Sequence, residues 1–188
     1  MVEMSPLTAA INRRDDAAVS ELLAAGVIPS FFEAAALGDI ETVRAGLHGD
    51  LGLARAFSPE GFTALHLAAF FGQAEVVRLL VQEGADVNGR SENAIAVAPV
   101  HSAAASGSVE TMRALLARYV DVDAPQEFGF TALHEAAYNG NVPMINLLLD
   151  AGADAEQTSD DGRDALAFAR TGGHPAAVKA LAPREGVR

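Results

Sequence analysis

The sequence has no cysteine and no tryptophan, a single lysine (Lys179), and only nine Phe and two Tyr among 188 residues. Without cysteine there are no disulfides and no thiolate metal sites, which fits a reducing compartment. Scarce aromatics beside abundant alanine disfavour a sandwich or barrel and favour closely packed helices. No apolar run approaches the roughly 18 residues needed to span a bilayer. Residues 1–16 lack a basic stretch followed by an apolar one, so no secretory signal is expected there. Positive charge is also thin: 13 Lys and Arg face 25 Asp and Glu, for a formal net charge of −12. Such a field repels phosphate backbones and anionic lipid, which excludes nucleic acid and membrane surfaces as general partners. The expectation is a cytoplasmic protein.

What is present is a repeat. The segment from Thr63 to Ala69 (TALHLAA) returns as Thr131 to Ala137 (TALHEAA), with a looser copy, APVHSAA, from Ala98 to Ala104. His66, His101 and His134 therefore recur at intervals of 35 and 33 residues, and Gly72, Gly107, Gly140 and Gly173 keep the same rhythm. Each first block is followed by a second apolar block: VVRLL from Val76, MRALL from Met112 and MINLL from Met144. Then comes Gly84-Ala85-Asp86-Val87-Asn88, or Gly152-Ala153-Asp154-Ala155. A period near 33 residues with two short amphipathic segments per unit is the mark of a stacked repeat architecture. Thr63 occupies an N-cap position, Leu65, Ala68 and Ala69 form one apolar stripe, and Gly72 closes the helix.

These signatures resemble the ankyrin repeat, and the resemblance covers nearly the whole chain. It implies an all-α ankyrin-repeat solenoid of antiparallel helix pairs joined by β-turn fingers. We read a single domain over 1–188, in approximate units 5–28, 29–57, 58–90, 91–125, 126–158 and 159–183, the outer ones degenerate. Four departures stand out. Alanine replaces the family proline at Ala64, Ala132 and Ala165. Tyr119 stands where Gly84 and Gly152 close the other helices, predicting a differently closed helix end. The finger from Ser91 to Val97 is two residues longer and more apolar than the standard one, and 49–58 is also irregular.

The three histidines are not a zinc site. Zinc ligands sit about 2.0–2.1 Å from the metal, whereas equivalent residues on stacked repeats are about 8–10 Å apart. The resemblance implies instead that each imidazole bridges its capping threonine and the finger backbone. No motif for nucleophilic, metal-assisted or phosphoryl chemistry occurs, so neither a catalytic residue nor a cofactor is expected. The resemblance further implies recognition through the concave face of finger tips and inner-helix ends. That assigns partner binding to Glu60, Phe62, Phe70, Phe71, Ala105, Ser106, Glu127, Phe128, Phe130, Tyr138 and Asn139. Pro59 belongs to the same finger, and Phe31, Phe32 and Phe168 are expected to pack internally. The six aromatics of that set fall at positions predicted to face solvent, and exposed aromatics anchor interfaces.

The expected function is a protein–protein interaction module, an adaptor or inhibitor, working as a monomer. Its unidentified partner would carry apolar anchors and basic flanks to match the acidic surroundings. Two other readings stay open at this point: a self-associating protein pairing as a homodimer, and a small-ligand binder or enzyme using loop 91–98 as a lid.

Overall fold

Short helices with good caps, each too short to stand alone, alternate with glycine-closed turns along the described residues, 4–182, of the computed structural model. The expected ends of the domain at 1 and 188, and of the last unit at 183, lie outside the described residues. Among the described residues there are twelve α-helices in six antiparallel pairs: α1 (Pro6–Asn12) with α2 (Asp16–Ala24), α3 (Phe31–Leu37) with α4 (Ile40–Gly49), α5 (Ala64–Phe70) with α6 (Ala74–Gln82), α7 (Pro99–Ser106) with α8 (Val109–Leu115), α9 (Ala132–Tyr138) with α10 (Val142–Asp150), and α11 (Ala165–Thr171) with α12 (Pro175–Leu181). The odd-numbered helices stack on one another to form an inner layer, and the even-numbered ones form an outer layer.

Five of the six inner helices start on a side-chain cap. Ser5, Ser30, Thr63, Thr131 and Asp164 accept from the backbone amide three residues on, satisfying a donor the helix leaves free. Ala98 has no such side chain, and there Pro99 pre-sets the first turn instead. Gly38, Gly72, Gly107 and Gly140 follow the inner helices with φ between +68° and +81°, a conformation that costs other residues dearly. At Gly140 a Cβ would also collide with the His174 ring.

The core is built from alanine and leucine. Ala68 and Ala69, Ala103 and Ala104, and Ala136 and Ala137 are buried between successive inner helices, where small side chains allow close approach. Leu80, Met112, Leu115, Met144 and Leu148 fill the space between layers. Polar side chains tie unit to unit: Gln73 Nε2 donates to the Ala36 carbonyl at 3.0 Å, and Asn141 Nδ2 donates to the Gly107 carbonyl at 3.0 Å. The N-terminal pair has its own small core of Leu7, Ile11 and Ala36, against which Leu67 and Phe71 pack.

The sequence irregularities have local structural answers. Residues Leu51–Ala54 form a 3₁₀ turn capped by Asp50, and an antiparallel bridge joins Phe57 to Thr63. Where Tyr119 replaces glycine, α8 spans seven residues against nine for α6 and α10. Its end closes through Arg118 N–H on the Leu115 carbonyl, leaving Tyr119 exposed with its carbonyl accepting from Asn88 Nδ2.

Stability follows from stacking, so one interior leucine is felt throughout. Leu80 is fully buried, and Leu80→Ala is expected to cost about 2–5 kcal/mol in urea unfolding followed by circular dichroism. A loss below about 1 kcal/mol, small for a core truncation, would contradict the packing described.

Candidate partner-binding groove

The inner helices and the fingers that precede them enclose two neighbouring concavities. The larger, about 780 Å³, runs from α1 across α3 and α5 to α7 and is walled mainly by apolar atoms. Its aromatic wall is Phe32, Phe62, Phe70 and Phe71, with Leu67 and Ile11 beside them. The smaller, about 630 Å³, lies under the fingers at Glu127 to Phe130 and Ser159 to Arg163. Ile95 and Gln126 line both.

The fingers share one construction. Ser58 N–H donates to the Phe62 carbonyl, Gln126 N–H to Phe130 and Ser159 N–H to Arg163, each at 2.8–3.0 Å. The longer finger closes in the same manner, Ser91 N–H donating to the Val97 carbonyl at 2.8 Å. Its extra residues bulge, with Ala96 at φ 45° and Ile95 exposed. Arg90 Nη1 pins that bulge, donating to the carbonyls of Ala96 and Pro125 at 3.0 and 2.7 Å.

The sequence-predicted site residues divide between these places. Glu60, Phe62, Phe70, Phe71 and Ala105 line the larger groove. Glu127, Phe128 and Phe130 line the smaller one. Ser106, Tyr138 and Asn139 line neither; the Ser106 hydroxyl donates to the Ala103 carbonyl at 2.7 Å, and Asn139 Nδ2 donates to Glu135 at 2.7 Å. Of the six aromatics expected to face solvent, Phe70, Phe128 and Tyr138 are exposed, at 42%, 70% and 48%. The other three are half-buried. Phe130 stacks edge-on against Phe168 with centroids 4.9 Å apart, Phe62 lies 6.1 Å from the His66 ring, and Phe71 seats the N-terminal helix pair. Their rings therefore serve packing as well as the groove lining.

Sequence reasoning missed the α1 wall, the ridge residue Ile95 and the guanidinium of Arg14. Arg14 lies 5.7 Å from the centroids of both Phe70 and Phe71, a cation–π distance. The apolar excess of the long finger was the one available sign of Ile95. Nothing in the repeat pattern marks Arg14, which sits with φ 53° in the turn between α1 and α2.

Acidic groups rim the apolar walls. Glu33, Glu60 and Glu135 line the larger groove, which no Lys or Arg lines. Burial pushes the Glu33 carboxyl up, but hydrogen bonds from Ser5, the Ser30 amide and Thr8 outweigh it and hold it below its ordinary value. Glu127, Asp160 and Asp161 line the smaller cavity with Arg163. Arg163 donates to Asp161, holding that carboxyl down at about 2, and its guanidinium lies 4.2 Å from the Phe168 centroid.

Beneath the groove His66 and His101 are buried. The amides of Thr63, Ala98 and Thr131 donate to Nδ1 of His66, His101 and His134. Nδ1 is thus an acceptor, and Nε2 carries the proton. Each Nε2 donates to the connection that follows its helix pair: His66 to the Val97 carbonyl at 2.9 Å, His101 to Ala124 at 2.8 Å and His134 to Gln157 at 3.0 Å. Desolvation lowers all three pKa values, that of His66 to about 4. Among the described residues no cluster of His, Asp or Glu is arranged to hold a metal ion, and no helix is long and apolar enough to cross a membrane.

Stacked helix pairs, finger loops and cap-bridging histidines define a solenoid repeat protein. The chain belongs to the ankyrin-repeat family: the family model for ankyrin repeats matches three times, over residues 2–91, 31–126 and 100–188. Ankyrin repeats are protein-interaction modules. Among curated relatives, alpha-latrotoxin-Lh1a of Latrodectus hasselti is 36% identical over 76 residues, 40% of this chain and 6% of the toxin. Protein phosphatase 1 regulatory subunit 12A of Mus musculus is 40% identical over 72 residues, 38% of this chain and 7% of the subunit. Protein phosphatase 1 regulatory subunit 27 of Mus musculus is 34% identical over 92 residues, 49% of this chain and 58% of that protein. The chain thus spans about a twentieth of the latrotoxin's length and somewhat over half of regulatory subunit 27.

Neutral histidines make stability depend on pH with a definite sign. Above 6.5 neither folded nor unfolded His66 is protonated. Between 6.5 and about 4 the unfolded chain binds a proton that the folded one refuses, so stability falls as pH falls through that window. Urea midpoints measured from pH 7.5 to 4.5 are expected to drop, with the His66 ring still the Nε2–H tautomer by ¹⁵N NMR at pH 5.5. A charged ring at that pH would contradict the bridge.

Proposed function

We propose that the chain is a non-catalytic interaction module, acting in the cytoplasm as an adaptor or inhibitor, that captures a partner protein in its concave groove. One observation carries the reading: an apolar groove of about 780 Å³ with three carboxylates and no Lys or Arg among its lining residues. An apolar groove ringed by one sign of charge suits a segment with apolar anchors and basic flanks. The neighbourhood of two phosphatase regulatory subunits among the relatives supports an adaptor role. The scaffold holds the groove ready before the partner arrives, which lowers the entropy cost of docking.

The long finger is tied back by its own hydrogen bonds and by Arg90, which favours a fixed groove edge over a moving lid. Phe70 projects into the groove while remaining 42% exposed. Phe70→Glu is therefore expected to abolish capture of the native partner from cell extract while changing unfolding free energy by less than about 1 kcal/mol. Capture that survives Phe70→Glu undiminished would remove the groove from the account. Sedimentation of the pure chain is expected to give a monomer at every concentration; a concentration-dependent dimer lost in Phe70→Glu would assign the same groove to self-association.

A further inference from the structure

The finger rungs are incomplete at one place. In two of the three finger junctions, the amide of a finger's second residue donates to the tip of the finger before it: Glu92 N–H to the Gly61 carbonyl at 2.8 Å, and Asp160 N–H to the Phe128 carbonyl at 2.9 Å. The third junction falls between the long finger and 126–130. Among the described residues the Glu127 amide makes no such bond, and the Arg90 guanidinium alone spans the gap with hydrogen bonds. The junction is flanked by two left-handed non-glycine residues, Ala96 at φ 45° and Phe128 at φ 62°. Such conformations cost free energy and persist where the surroundings impose them. Here they set an exposed Ile95 and a 70% exposed Phe128 on either side of the unpaired junction.

This junction is also where the two concavities meet, since Ile95 and Gln126 line both. Six carboxylates line the pair of cavities against one guanidinium, and that one is already paired with Asp161. Resting on the groove being the partner-binding face, we propose that the occupant is a basic segment in extended conformation that straddles Ile95. It places one apolar anchor against Phe70 and a second against Phe128, and its backbone pairs with the open finger junction between them.

The spacing of the anchors follows. Phe70 ends an inner helix and Phe128 sits in a finger two units further along the stack, so their separation is at least the two-unit rise, about 16–20 Å at 8–10 Å per unit. An extended chain rises about 3.3 Å per residue, so the span takes no fewer than about five residues. Side chains of an extended segment alternate in direction, so two that face the same groove are separated by an even number. The anchors therefore stand six or more positions apart, at an even spacing, with Lys or Arg among the residues between and beside them.

The test uses a phage-displayed library of random 16-residue peptides selected on the intact chain, followed by fluorescence anisotropy on the enriched peptides. The expected result is a motif of two apolar residues six or more apart, at an even spacing, with Lys or Arg around them. Phe70→Ala and Phe128→Gly should each weaken binding about tenfold or more, as loss of an anchor does. Both side chains are exposed and glycine suits the backbone at 128, so both variants keep the fold. Ile95→Arg, which puts positive charge on the ridge, should weaken the same peptides. Peptides sensitive to Phe70→Ala but indifferent to Phe128→Gly, or apolar pairs three or four apart, would overturn the two-anchor segment and leave the groove reading intact. Peptides bound equally by all three variants, or no enrichment at all, would remove the groove reading and the segment with it.

Discussion

Three of the four fingers on the concave side hang from an imidazole that uses both ring nitrogens. One nitrogen accepts from the backbone at the start of its own inner helix, and the other donates to a carbonyl of the connection into the next unit. A finger is a short loop with few apolar contacts, and such loops open readily. The histidine bridge ties it to a packed helix, so the groove edge inherits the order of the core. The bridge works only with a neutral ring, and burial supplies that by penalising the charged form. Where no described finger follows, no histidine is found: Ala167 holds the equivalent place in the last unit, and Asp164 caps its amide. In the second unit Glu33 takes the place and turns backward to Ser30, Ser5 and Thr8.

Order at the edge gives the groove its chemistry. Alanine between inner helices keeps the units close, and the aromatic rings that follow those alanines are displaced toward the concave side. Phe70 and Phe71 contact each other edge-on with centroids 5.2 Å apart, one turned to the groove and the other to the N-terminal pair. A surface that is apolar inside and acidic at its edge rewards a partner that brings both apolar anchors and positive charge. Charge sets the approach and rejects mismatched segments, while the buried anchors hold what has docked.

The architecture was legible because its causes are local and repeated. TALHLAA states a cap, a stripe and a bridge in seven residues, and a second copy 68 residues on leaves little freedom for another fold. The position of Tyr119 in place of glycine foretold an altered helix end, since a left-handed closure disfavours a bulky side chain. The groove was legible only in part. Alignment put Phe62, Phe71 and Phe130 at open positions, yet Phe62 leans on the His66 ring of its own unit, and Phe71 and Phe130 lean on neighbours outside theirs, the N-terminal helix pair and Phe168. Such contacts depend on how units stack, which a single-unit pattern does not encode. Arg14 was invisible for the same reason, and Ile95 showed only as part of the apolar excess of its finger, because their roles arise where a degenerate cap and an elongated finger meet regular units.

The most direct test of the concave face as the recognition surface is site-specific photo-crosslinking in the native cells. A photoreactive amino acid at position 95, on the groove ridge, is compared with one at position 113, exposed on the outer helix α8. A partner adduct is expected from position 95 and none from 113. An adduct formed at 113 with nothing at 95 would contradict it.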